Sequence, residues 1–485
     1  MSNQNDDRAA APVPPADATD VGIWHESADV VVVGLGCAGA SAAIEGSERG
    51  ADVLVLEASD PVNGGTSALS GGIIYLGGGT PVQTGCGFED SAENMALHLH
   101  AACGPDADDL KIEEYSEGSV GHYHWLVEHG VPFDASYHPE HDREPPDESG
   151  LVYSGGEDSW PFSAIATPAP RGHHPRFPDR AGGFLMDRLL ASVAATRAEV
   201  VAGARVDRLI VDNGAVVGVV ARVDGEERAV RAHRGVVLTA GGFMMNRPMV
   251  EELCPAALRC NWPIGTDRDD GLGIRMALGA GAATIGLDRV EVGMPLTPPR
   301  SLVRGILVNG RGERFINEDT YSGRIGQEVL LRQDGTAFFV HDDETFAVNL
   351  VGAKARWVAD TPGELEGELG MPPGSLATTL DRYNDDAARG EDTEHHKAAA
   401  WLKPLVPPYG VIDLRVASAI YAPFTLGGLH TDADSRVRDE RGNPIPGLFA
   451  AGRTTAGISA GGYVSGISLG DGTFFGRRAG RSAAR

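Results

Sequence analysis

Three glycines and one acid carry the clearest chemistry in the sequence. Gly34, Gly36 and Gly39 are spaced G-x-G-x-x-G, and Glu57 follows about 20 residues later. Glycines so spaced let main-chain N–H groups close on a pyrophosphate. Gly34 permits the tight turn, Gly36 the close approach, and Gly39 the packing of the following helix on the strand. A carboxylate at Glu57 suits the hydroxyl pair of an adenosine ribose, and its charge disfavours a 2′-phosphate. Positioning these groups takes a strand, a turn, a helix and a second strand, in that order. Residues 30–33 read as a short β-branched buried strand, 40–49 as the helix and 53–56 as the second strand. The reading is an α/β, Rossmann-type dinucleotide-binding domain; which dinucleotide it holds must come from elsewhere.

A polar glycine loop follows, with Gly65, Thr66, Ser67, Gly71 and Gly72 among residues 63–72. Backbone N–H groups and hydroxyls in such a loop can line a cofactor's phosphates and the edge of a flavin. Residues 91–130 read as helical, as do 182–194, and residues 200–230 as strands with a hairpin turn at Asp212-Asn213-Gly214. Residues 235–242 form a further strand closing on a glycine turn that includes Ala240 and Gly241, a second edge of the cleft, and 271–282 a helix-like run. From about residue 291 to 415 the composition shifts to an inserted, smaller α+β unit, with a hairpin expected at 305–312 and short helices at 362–389. The nucleotide fold then resumes and ends in a helix from Asp471. The expected division is a disordered leader over 1–25, a discontinuous nucleotide domain over 26–290 and 416–485, and a capping domain over 291–415.

Composition narrows the classes. The 485 residues suit two or three domains, and 65 glycines cluster in loops after apolar strands. A formal charge of −27 leaves no electrostatic footprint for nucleic acid or an anionic membrane. No apolar stretch is long enough to cross a bilayer, and the first 20 residues lack an export signal. The five cysteines are odd in number and lack C-x-x-C spacing, which implies free thiols and a cytoplasmic location. His98, His100, His122, His124 and the histidines of 138–179 do not present a metal-ligand spacing and are expected to be solvated or locally bonded; no metal is expected.

The glycine turn, the Gly65-Thr66-Ser67 loop, the run Gly312-Glu313-Arg314-Phe315-Ile316-Asn317-Glu318 and the segment Pro446 to Gly452 resemble the FAD-dependent fumarate reductase and 3-ketosteroid dehydrogenase superfamily over nearly the whole chain. The resemblance implies FAD, with its adenine on the first fold and its isoalloxazine facing the insert. Relatives that bind flavin covalently carry a histidine where Gly65 stands, so FAD is expected to be noncovalent. Besides the positions already named, the resemblance implies cofactor contacts at Cys37, Ala38, Ala58, Val206, Gly452, Arg453, Ser468 and Leu469.

Fumarate reductases clamp a dicarboxylate with arginines after the Arg-Phe-x-Asn-Glu run and near the C-terminus. Here those regions read Thr320-Tyr321-Ser322 and Gly462-Tyr463-Val464-Ser465, with Arg324 nearby. Phenols and a hydroxyl in place of guanidinium groups argue for a neutral substrate. These segments look most like 3-ketosteroid Δ4-dehydrogenases, and Arg453 after Ala450-Ala451-Gly452 fits that branch. The resemblance implies a small hydrophobic 3-ketosteroid as substrate, Tyr321, Tyr463 and Ser465 as catalytic and substrate-binding residues, and Gly466 as a donor to the ketone, with an external electron acceptor. Competing expectations are a Δ1-dehydrogenase, a fumarate-type enoate reductase and a flavin electron carrier. The plain alternative is that Tyr463 and Ser465 pack beside the flavin and Tyr321 fills the domain seam.

Overall fold

The computed structural model describes residues 10–140, 144–294, 300–346 and 354–485. The first nine residues of the expected leader, and His141, lie outside the described residues.

The chain is organised on a nine-stranded sheet. Glu26–Val33 runs parallel to Val53–Leu56 on one side and to Glu226–Leu238 on the other, in registers that pair Val30 with Val53 and Val33 with both Leu56 and Leu238. Both faces of the sheet are covered at residues 30–33, 53–56 and 236–238, which is why these stretches read as continuous apolar runs without alternation, whereas the start of Glu226–Leu238 carries exposed side chains. Pro444–Ala450 returns late in the chain to pair, parallel, with residues 236–238. Arg205–Asp212 and Ala215–Val223 form the antiparallel hairpin expected at Asn213-Gly214, where both residues take positive φ (49° and 82°).

The expected first helix is present but begins at the turn itself, spanning Cys37–Glu48. It packs against the C-terminal helix Ile467–Ala483, which starts four residues before the expected Asp471 because Gly466, at φ 95°, forms its N-cap. The approach is backbone to backbone. A methyl group on Gly476 would lie 2.4 Å from the Ala38 carbonyl oxygen, and one on Gly480 2.2 Å from that of Ala42. Between the helices the buried Glu45 carboxylate accepts from Arg477 (3.2 Å) and Arg481 (2.9 Å). Burial alone would raise this carboxyl, and the two arginines reverse the effect and hold it below the usual carboxylate range.

Two expectations need correction. Residues 10–25 are not a free leader: Ala16–Asp17 adds a strand beside Arg205–Asp212, and Val13 N–H donates to the Arg275 carbonyl (2.9 Å). Edge pairing uses backbone groups, which a polar, apolar-poor sequence does not advertise. Around 305–312, only Val308 and Arg314 bridge locally, and Ile306–Val308 pairs instead with the distant Phe338–Asp342. The histidine expectation holds through its bonded alternative: His122 meets Thr473 Oγ1 (2.8 Å) and His173 meets Thr80 Oγ1 (2.7 Å), while burial lowers His98, His122, His173 and His174 below the ordinary imidazole range. Among the described residues no group of three or more His, Cys, Asp or Glu side chains is placed to hold a metal, and no helix is long and apolar enough to cross a membrane.

The inserted region carries a four-stranded antiparallel sheet, in the order Ile306–Val308, Phe338–Asp342, Tyr409–Asp413, Trp357–Ala359, backed by helices Pro362–Leu369 and Ser375–Arg389. Val308, Phe338, Leu376, Leu380 and Tyr383 belong to its own apolar cluster. At its base Arg314 binds Glu318 (2.8 Å) and Asp392 (2.9 Å), and Lys397 reaches Glu318 (2.9 Å), all of them buried. This charged knot fixes the segment that leads into Tyr321. The antiparallel pair Val290–Gly293 and Ala422–Thr425 joins the cap to the nucleotide fold.

Candidate active site

A cavity of about 970 Å³ runs from the glycine turn to the cap. Each expected cofactor or substrate position lines it except Gly39. Gly39 takes the packing role instead, since a methyl group there would lie 2.0 Å from the Gly34 carbonyl oxygen and 2.7 Å from Thr239 Oγ1.

At the nucleotide end, Glu57 accepts the Leu35 N–H (2.6 Å) and the Ser59 N–H (2.8 Å), which fixes its carboxylate beside the turn. Ala58 and Val206 line the same end. Ser67, in the short helix Gly65–Ala68, accepts the Cys37 N–H at 3.1 Å and so ties the polar glycine loop to the first helix. A continuous groove lined by backbone and small side chains, with a carboxylate at its ribose end, fits FAD in an extended form.

Sequence reasoning did not single out Asp269, which organises the middle of the cleft. Its Oδ1 accepts the Gly242 N–H (2.8 Å), and its Oδ2 accepts the Thr66 hydroxyl (2.7 Å) and the Arg453 guanidinium. One buried carboxylate thereby gathers the polar loop, the turn after Glu226–Leu238 and the C-terminal turn. No motif surrounds it, and its partners are up to 203 residues away in sequence.

At the cap end the two expected phenols come together, and Ser465 lines the same cavity. Tyr321 is the N-cap residue of the helix Ser322–Arg332, and its ring lies 6.3 Å from that of Tyr463, centroid to centroid. Phe424 packs edge-on against Tyr463 at 5.2 Å. Tyr463 is half-buried in the cavity wall, and its partial removal from water pushes its phenol up to about 12, while the hydrogen bond from Ser468 N–H (3.3 Å) opposes the shift. Ser465 is held by its backbone: its N–H donates to the Ser154 carbonyl (3.2 Å), and Ser154 Oγ donates to the Ser465 carbonyl (3.0 Å). The Gly466 carbonyl accepts the Tyr75 N–H at 3.1 Å. Met294, Val303, Ile420 and Phe424 supply apolar wall. A second residue absent from the expected set stands here: Glu291, whose Oε1 accepts the Tyr321 hydroxyl at 3.0 Å. Arg324 is turned away, donating to Thr320 Oγ1 (3.1 Å) and Asn317 Oδ1 (3.3 Å) with its guanidinium over Phe162, and it does not line the cavity.

A family model described as FAD binding domain matches residues 29–469. The chain belongs to that family of FAD-binding proteins. Among solved structures, this flavoprotein is similar to a 3-ketosteroid-Δ4-(5α)-dehydrogenase from Rhodococcus jostii RHA1 in complex with 4-androstene-3,17-dione: 47% identity, TM-score 0.93, covering 98% of this chain and 100% of that one. A 3-oxo-5-alpha-steroid 4-dehydrogenase of Comamonas testosteroni is 28% identical over 90% of this chain and 96% of its own length. The flavoprotein therefore belongs with the 3-ketosteroid Δ4-dehydrogenases, within the superfamily shared with fumarate reductases. A 3-ketosteroid Δ1-dehydrogenase from Sterolibacterium denitrificans, at 21% identity and TM-score 0.72 over 95% of this chain and 99% of that one, shares the fold.

Proposed function

We propose that the protein introduces the C4–C5 double bond into a saturated 3-ketosteroid of the 5α series, with noncovalent FAD in the groove between Glu57 and Ser465. The observation that carries this reading is a single cavity that joins the dinucleotide turn to Tyr321, Tyr463 and Ser465. The similarity to the Rhodococcus 3-ketosteroid-Δ4-(5α)-dehydrogenase supports the position and face of desaturation.

When bound, FAD supplies a hydride acceptor. The chain's own residues then handle the C4 proton and the ketone. C4 is α to the ketone, so its proton becomes removable as enolate character develops at the C3 oxygen. The Gly466 N–H is the donor to that oxygen. Ser465 takes the C4 proton, and because a lone serine is a poor base, the proton passes outward through Tyr463 and Tyr321. We assign residues 26–290 and 416–485 to the cofactor and 291–415 to the cap that presents Tyr321. A dicarboxylate substrate is disfavoured because Arg324 already serves Thr320 and Asn317.

The test is an anaerobic titration of the holoenzyme with the 5α- and 5β-dihydro forms of 4-androstene-3,17-dione. Bleaching of the flavin by the 5α form with formation of the 4-ene is expected, and Tyr463→Phe and Ser465→Ala should bind FAD yet lose turnover. A flavin unchanged by either isomer refutes the reading, and undiminished turnover in both variants refutes the residue roles.

A further inference from the structure

Glu291 lies on the strand Val290–Gly293, faces the cavity, and is 1% exposed. Its Oε1 is bonded to the Tyr321 hydroxyl at 3.0 Å, and its Oε2 has no hydrogen-bond partner. The first turn of Ser322–Arg332 closes directly over it: a methyl group at Gly323 would fall 1.7 Å from Oε1. The groups that face it are Tyr321 and Gly323 from that helix, its cross-strand partner Phe424, Tyr463 from the C-terminal loop, and the buried Cys103 thiol. Among the described residues no lysine or arginine pairs with this carboxylate. A buried, cation-free acid in contact with a phenol of the site is costly to keep unless it has a task.

We infer that Glu291 is the outer end of the proton path, receiving through Tyr321 the proton that leaves C4. The inference rests on the proposed desaturation. In each turnover the C4–H bond breaks and its electron pair enters the new C4=C5 bond, while the hydride leaves C5 with its own pair to the flavin that the desaturation already requires. The proton goes to Ser465; each hydroxyl gives up one proton as it gains another, and the carboxylate ends neutral. It is discharged to water once product has left the cavity. Glu291 touches Tyr321 and not the reacting atoms, so it acts as a positioning and proton-accepting residue behind the catalytic hydroxyls. Burial pushes its carboxyl up to about 8, against the opposing Tyr321 hydrogen bond, which brings its basicity nearer to that of a phenol and lets the two exchange a proton.

Glu291→Gln separates the two roles, because the amide oxygen still accepts the Tyr321 hydrogen bond but cannot take the proton. On the holoenzyme, kcat with the 5α-dihydro steroid should rise in the wild type as pH passes about 8, since the accepting form is the carboxylate. In E291Q, kcat should fall about 100-fold and that limb should vanish. FAD content and the affinity for 4-androstene-3,17-dione, read from flavin absorbance, should be unchanged. The carboxylic-acid carbonyl band lost in E291Q, followed by infrared difference spectroscopy against pH, should titrate with the kinetic limb. A Gln variant with wild-type kcat and pH profile overturns the inference while the desaturation stands. A wild type that desaturates neither isomer removes the desaturation, and the inference with it, in the first arm alone.

Discussion

Replacing Glu291 by glutamine should make the protein more stable at alkaline pH, and the size of the gain follows from where the carboxyl sits. Its folded-state value of about 8 lies above the ordinary 4.5, and burial is the main cause. Below the ordinary value both the folded and unfolded states hold the proton, so the group has no effect on the balance. Between 4.5 and 8 the unfolded chain releases its proton while the folded protein keeps it. Stability therefore drains away as pH rises through this window and levels off above it. At about 1.4 kcal/mol for each pH unit, the loss totals about 5 kcal/mol. Urea unfolding of the wild type and E291Q from pH 5 to pH 9 measures it, because every other titrating group is common to both proteins and cancels. The two should unfold at similar urea concentrations near pH 5, and E291Q should lead by about 4–5 kcal/mol at pH 9. A gap that does not change with pH would mean that Glu291 is ionised throughout, and the argument from its burial would be wrong.

Two further outcomes concern the helix pair behind the glycine turn. Gly476→Ala should force the helices apart against the Ala38 carbonyl, costing about 2 kcal/mol or more and weakening FAD retention, as measured by thermal shift and flavin release. Gly367→Ala, in the exposed cap helix Pro362–Leu369 where a methyl group meets nothing within 4 Å, should instead be neutral or gain about 0.5–1 kcal/mol. Glu45→Ala leaves Arg477 and Arg481 without their shared carboxylate and should destabilise by about 3 kcal/mol in denaturant unfolding.

What could be read in the sequence depended on whether the chemistry was written locally. Gly34, Gly36 and Glu57 were legible because a backbone that approaches a phosphate needs glycine at fixed spacing, and the ribose acid must follow one strand later. Tyr321, Tyr463 and Ser465 came only through family resemblance; their types and spacing specify nothing alone, and their meeting requires the cap to fold back on the C-terminal loop. Asp269 and Glu291 were missed for the same reason in stronger form. Each is one acid in an unremarkable stretch, and each becomes buried only when segments more than 100 residues away pack over it, the strand Ala422–Thr425 in the case of Glu291. The face Gly472, Gly476 and Gly480, by contrast, recurs every fourth residue and was visible. That spacing puts the three glycines on one helix face, where the first helix packs.

The arrangement has a consequence for how the cofactor and the fold depend on one another. The groove is not built on one rigid unit: Ser67 binds the first helix, Thr66 and Arg453 meet on Asp269, and Gly242 completes the same carboxylate. Three chain segments that begin far apart thus share one buried charge, and a ligand that lies along all three is bound only when they are assembled. Binding energy spent on FAD is then also energy that holds the C-terminal turn against the sheet, by mass action on the folded state. The same C-terminal segment carries Tyr463, Ser465 and Gly466 a few residues beyond Arg453. Seating the cofactor and placing the hydroxyls proposed to handle the proton are therefore one structural event, and in that proposal the cap needs to contribute only Tyr321 and the carboxylate behind it.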